Sequence, residues 1–182
     1  MSGHNKWAQI KHKKGITDAK KSKIFAMLSK KVAVESRLAK GDRNSPGLRK
    51  AIENARAVNM PNDKIDAAVA KGTGAGGAEM VEVMYEAYGP GGSAIIIEGI
   101  TDNKNRTSQE MKHLLSKNGS ALSPQGSVLW AFRKENDEWV ANNAMDLSED
   151  DTKQLQIILE ELDNHDDVED IFTNVDFKEE AN

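Results

Sequence analysis

The run GTGAGG at 72–77 breaks the chain into two differently patterned parts. Ahead of it apolar residues recur at helical spacing; behind it they alternate or run on continuously, as strands do. A chain with this change of period is predicted to fold as a basic arm plus three-helix bundle over 1–71, a Gly-rich linker over 72–79, and an α+β domain over 80–182. The run also spells G-x-G-x-x-G at Gly72, Gly74 and Gly77. A dinucleotide loop needs a strand before it and a helix after. Here the order is reversed, so the glycines read as a helix end running into a linker.

Charge follows the same division. Residues 1–71 carry +11, residues 72–134 carry 0 and residues 135–182 carry −15, which together give the overall −4. That asymmetry predicts a front that faces a polyanion and an acidic back. The front opens on GHNKWAQIKHKKGITDAKKSKIFAMLSKK (3–31), with nine Lys, two His and a single acid, Asp18. Up to Gly15 the stretch is too crowded with like charge to form a helix unaided. Beyond it Ile24, Leu28 and Val32 mark an amphipathic helix. Trp7, set among cations, suits either stacking on bases or stapling the arm to the bundle.

Thr17 or Asp18 can cap the first helix, which Gly41-Asp42 ends after Lys40. Ser45-Pro46 starts a second with Leu48, Ile52 and Ala55 inward, and Met60-Pro61 a third with Ile65 and Val69 inward. Strands are predicted at 80–88, 93–101, 127–132 and 168–177, with GPGG (89–92) as a turn and SAIIIEGIT buried on both faces. Thr107-Ser108-Gln109-Glu110 reads as a capping box opening a helix. Residues 133–147 read as irregular, with Trp139-Val140 a short strand at most. Ser148 and the acids after it open a last helix with Leu155, Ile158, Leu159 and Leu162 inward. The fold class is therefore α+β, with helices on one face of a largely antiparallel four-stranded sheet.

Chemistry is sparse. The four His (4, 12, 113, 165) show no metal-ligand spacing, and His113 reads as a partly buried structural residue. No G-x-S-x-G, Walker A or HExxH motif occurs. Absent cysteine removes disulfides and Cys-based zinc sites. The longest apolar run, VLWAF at 128–132, is too short for a bilayer. The start has no signal-peptide core, and Lys in place of Arg argues against a mitochondrial address. Asn103, Asn105 and Arg106 in TDNKNR form a candidate anion site before a helix; Asx-turn chemistry explains the same residues.

The motifs GHNKWAQIKHKK (3–14), DAKKSKIF (18–25), NMPNDKID (59–66), YEAYGPGGSAIIIE (85–98) and TDNKNRT (101–107) resemble the YebC/PmpR family. Its members include bacterial transcriptional regulators and the mitochondrial translational activator of cytochrome c oxidase. The resemblance implies a basic helical first domain, an α+β second domain and a third domain inserted into the second. Here residues 133–146 stand where the insert belongs, so that third domain is expected to be missing.

The expected function is a non-enzymatic, nucleic-acid-binding regulator of gene expression, with no cofactor and no small-molecule substrate. It is expected to be monomeric and cytoplasmic rather than in the mitochondrial matrix or at a membrane. The candidate contacts are His4, Lys6, Trp7, Lys11, His12, Lys13, Lys14, Lys20, Lys21, Lys23, Arg49, Lys50 and Arg56. DNA binding for transcription and ribosomal RNA binding for translation both fit. No helix shows the Arg/Asn/Gln set of a major-groove reader, which weighs against site-specific control.

Overall fold

The computed structural model describes residues 18–74 and 79–177, with side chains from Lys21 onward. The chain divides into two compact units: the described residues of Ile16–Val83 with Ile100–Lys104, and those of Met84–Gly99 with Asn105–Asn182.

The first unit is built on α1 (Asp18–Leu38), α2 (Pro46–Ala57) and α3 (Asn62–Gly72). At the end of α1 Lys40 takes a positive φ, and the Gly41 amide donates back to the Ser36 carbonyl at 2.8 Å. This is a Schellman close with lysine in the left-handed position. At the end of α2 Asn59 does the same, and the Met60 amide reaches the Ala55 carbonyl. Pro46 opens α2 as the sequence predicts, but the Ser45 side chain makes no capping bond. The core joins Val32, Leu48, Ile52, Ala55, Met60, Ile65 and Val69, with Phe25 and Leu28 against it. Val34, Met80 and Ile100 form a smaller cluster.

The second unit is built on a four-stranded sheet in the order β3-β1-β2-β6. Its strands are β1 (Val81–Tyr88), β2 (Ala94–Thr101), β3 (Ala121–Ser123) and β6 (Val168–Thr173). β3 pairs antiparallel to β1, with Glu86 opposite Ser123, and β6 antiparallel to β2, with Ile96 opposite Phe172. One face is covered by α4 (Lys104–Lys117) and α5 (Glu149–Asp163). There Met111, Leu115, Leu155, Ile158, Leu159 and Leu162 meet Ile95 and Ile97. Ser148 caps α5 by accepting from the Asp151 amide at 3.1 Å.

Four expectations need correction. Residues 127–132 are not a sheet strand: Leu129–Ala131 is a tight 3-10 turn, and Ala121–Ser123 is the third strand instead. The cause is Glu86, which alternation along β1 would leave in water. It is 2% exposed, and its carboxylate accepts from the Gly126 amide (2.6 Å) and the Val128 amide (2.8 Å), bending the segment. Residues 133–147 are irregular only from 142 on, and the short strand expected at Trp139-Val140 is part of a longer pairing. β4 (Phe132–Glu135) and β5 (Glu138–Ala141) form a hairpin. Its Phe132, Trp139 and Ala141 cover Ala94, Ile96 and Phe172 on the sheet's other face. α4 starts at Lys104, so Thr107 is no cap; its buried hydroxyl donates to Asp167 at 2.8 Å. The last strand stops at Thr173, beyond which Val175 makes a parallel bridge to Met145. No described helix is long and apolar enough to cross a membrane.

Candidate nucleic-acid interface

His4, Lys6, Trp7, Lys11, His12, Lys13 and Lys14 lie outside the described residues, as does the side chain of Lys20. Among the remaining candidates Lys21 is exposed and Lys23 half-buried on α1. Arg49, Lys50 and Arg56 are exposed on α2 because Leu48, Ala51, Ile52 and Ala55 claim its inner face. Seven residues apart, Arg49 and Arg56 share one side of the helix. Glu53 stands 4.0 Å from Arg49, a contact worth little at an exposed i,i+4 pair.

The structure adds cations that the sequence reading did not single out. A groove of about 410 Å³ runs between α1 and α3. Ala26, Ser29, Lys30 and Ala33 line it from α1; Lys64, Ala67, Ala68 and Lys71 line it from α3; Met80 also lines it. A further space of about 210 Å³ shares Ala33, Lys71 and Met80 and reaches Arg37 and Glu79. Deeper in the unit the two helices are drawn together. The fully buried Ser36 hydroxyl donates to the Val69 carbonyl at 2.8 Å. Gly72 lies so close to the Ala33 carbonyl and Ser36 that a Cβ there would collide.

Lysine heads rim this groove. Lys30 Nζ donates to the Ile100 carbonyl at 3.4 Å, and Lys64 lies 5.6 Å from the Phe25 ring centroid. At the far end Arg37 pairs with Glu79. That hydrogen bond, with the positive charges of Arg37 and Lys104, holds the Glu79 carboxyl below its ordinary range. Lys64 and Lys71 were legible in retrospect: seven residues apart with Ala67-Ala68 between, they mark a basic, small-residue face.

The candidate anion residues are arranged differently. Asn103 donates its amide to Thr101 Oγ1 at 2.9 Å, a local turn, and Asn105 and Arg106 fall within the first turn of α4. Arg106 donates to the buried Asp167 carboxylate at 2.7 Å, so its charge is already matched. His165 also joins this network, which sequence spacing did not reveal. Its Nε2 lies 3.0 Å from Glu110, and its Nδ1 accepts from the Asp167 amide at 3.1 Å. Glu110, His165 and Asp167 lie close enough to hold a metal ion. Arg106 nevertheless supplies the positive charge there, 3.7 Å from Glu110 as well. His113, expected to be partly buried, is exposed because Met111, Leu114 and Leu115 take the inner face of α4.

Comparison with known proteins bears on both parts of the chain. The family model of the TACO1/YebC protein N-terminal domain matches residues 5–75, and that of the TACO1/YebC second and third domain matches residues 80–136. A probable transcriptional regulatory protein of Petrotoga mobilis is 56% identical over 137 residues, 74% of this chain and 55% of that protein. One of Thermotoga maritima is 46% identical over 161 residues, 87% of this chain and 61% of that protein. The chain thus spans little more than half the length of these curated relatives. The crystal structure of a conserved hypothetical protein from Aquifex aeolicus superimposes with a TM-score of 0.82 at 25% identity. That match covers 90% of this chain and 93% of the other.

Proposed function

Because the chain belongs to the TACO1/YebC family, we propose that it is a nucleic-acid-binding regulator of gene expression, acting on DNA to control transcription. The observation that carries the reading is the +11 concentrated in residues 1–71 of a chain whose net charge is −4. The relatives' name, probable transcriptional regulatory protein, supports it.

In this reading the lysines of the arm, from Lys6 to Lys23, neutralise phosphates and release counterions, while Arg49, Lys50 and Arg56 extend the contact along α2. Such contacts set position and orientation on the polymer without reading sequence. The acidic remainder repels the polyanion and so favours approach by the basic end. No cofactor or turnover is required, and the protein acts as a monomer in the cytoplasm.

A second reading, a translation factor bound to ribosomal RNA, draws on Trp7, His4 and His12 among the lysines. Structured RNA offers unpaired bases on which such side chains stack. Sedimentation of a gently prepared lysate separates the two. Co-migration with chromosomal DNA, abolished by DNase, supports the first; co-migration with ribosomes, unaffected by DNase, overturns it in favour of the second.

A further inference from the structure

We infer that the groove between α1 and α3 is a track for the backbone of a single nucleic-acid strand, with Lys64 and Lys71 as its phosphate contacts. This inference rests on the reading of the basic unit as a nucleic-acid binder and adds which form of the polymer enters it, and where.

Charge, spacing and shape point the same way. Among the described residues, the groove and its continuation are lined by Lys30, Lys64, Lys71 and Arg37 against one acid, Glu79, which Arg37 already engages. Lys64 and Lys71 are both exposed and stand two turns apart on α3, about 10 Å along its axis. Between them the α3 wall is Ala67 and Ala68, so among the described residues no bulky α3 side chain holds an extended chain away from the lysines. Packed helices have axes roughly 8–10 Å apart. A duplex, whose major groove alone is about 12 Å wide, cannot enter such a space and can only rest on its rims. A single strand presents one line of phosphates and fits. An acidic amphipathic helix from a protein would need deep sockets for its apolar anchors, and alanines on both helices form none.

The test is fluorescence anisotropy on the full chain, using a labelled oligouridylate of about a dozen nucleotides and a DNA duplex of equal length over a salt series. The variants are Lys64→Ala/Lys71→Ala and Ala67→Leu; melting curves confirm that each stays folded. The double variant is expected to bind the single strand about tenfold more weakly and to shallow its log–log salt slope by roughly 1.4, about 0.7 per lost phosphate. Ala67→Leu, which fills the groove without changing charge, is expected to weaken the strand as well. Duplex binding should stay within about twofold for both.

Equal losses for strand and duplex would overturn the inference, since the lysines would then be general surface charge. So would variants that bind the strand as the wild type does, an outcome that leaves the proposed function standing. Displacement of the strand by polyglutamate at far lower charge concentration than by unlabelled oligouridylate would overturn the inference and assign the groove to an acidic protein segment. A wild-type chain that binds neither polymer would remove the proposed function, and the groove assignment with it.

Discussion

Ser36 and Val69 are joined by a buried hydrogen bond that ties α1 to α3: the serine hydroxyl, with no exposed surface, donates to the valine carbonyl at 2.8 Å. Val69 lies in the last turns of α3, where carbonyls run short of helical partners. Ser36→Ala removes the donor and leaves that acceptor with only the long 3.3 Å bond from the Thr73 amide. A loss of about 1–2 kcal/mol in urea unfolding is expected. Ser29→Ala is the control. Its hydroxyl reaches only the Met60 sulfur, at 4.0 Å, and stability should not change measurably.

Asp167 should be a stronger determinant of stability. Its buried carboxylate accepts from Arg106 and Thr107 and holds the start of α4 against the segment entering β6. Asp167→Ala leaves the Thr107 hydroxyl buried without its acceptor, and a cost of about 2–4 kcal/mol is expected. Arg106→Ala should cost at least as much, because it leaves the Asp167 carboxylate, 6% exposed, without its cation. A clearly smaller effect of Arg106→Ala in thermal melts would contradict this ordering.

Glu79 should link acid stability to polymer binding. Its carboxyl is held below the ordinary range by the Arg37 hydrogen bond. A group depressed in the folded state stabilises above its unfolded value, and that contribution disappears as pH falls through the lowered one. Glu79→Gln should therefore flatten the acid limb of the stability profile slightly, the pair being exposed. It should also free the Arg37 charge, tightening polyanion binding and steepening the salt slope by up to about 0.9. Weaker binding by this variant would mean that the pair supports the interface structurally.

The arm should supply much of the nucleic-acid affinity. Replacing Lys11, Lys13 and Lys14 by alanine is expected to lower affinity for unrelated sequences alike. The log–log salt slope should fall by roughly 2 to 3, about 0.7–0.9 for each contact removed. An unchanged slope would move the binding surface off the arm.

Trp7 separates stacking from stapling. If the indole stacks on a base, Trp7→Ala costs about 1–3 kcal/mol of binding and leaves the melting temperature alone. A lowered melting temperature with full binding would identify it as a staple of the arm to the bundle.

The parts of the fold set by near neighbours were readable in the sequence. Ser45-Pro46 located the start of α2, and the period of Ile65 and Val69 gave the buried side of α3. Two of the failures share one cause: a polar side chain satisfied by a partner far along the chain. Glu86 bends residues 126–128 from forty positions away, and Asp167 claims Thr107 from sixty. Neither distance appears in any local pattern. The groove leaves no mark in the sequence, because alanine on a helix signals only helix and the space depends on two stripes brought together by folding. The hairpin did leave a trace. Asn136-Asp137 is a pair that tolerates left-handed backbone, and both residues adopt it.

That turn also makes the hairpin a seam. The match to the family's second and third domain stops at residue 136, the turn's first residue. Glu135 and Glu138 face each other across it, their strands about 5 Å apart. A segment spliced in at this point would depart and return through almost the same place, as domains with neighbouring termini can do. The host would keep its β4–β5 pairing and its cover over Ile96 and Phe172. Since each doubling of a loop adds only about 0.6 kcal/mol to its closure, the seam can carry two residues or a whole module at similar cost. An insertion at this turn would leave the β4–β5 register unchanged.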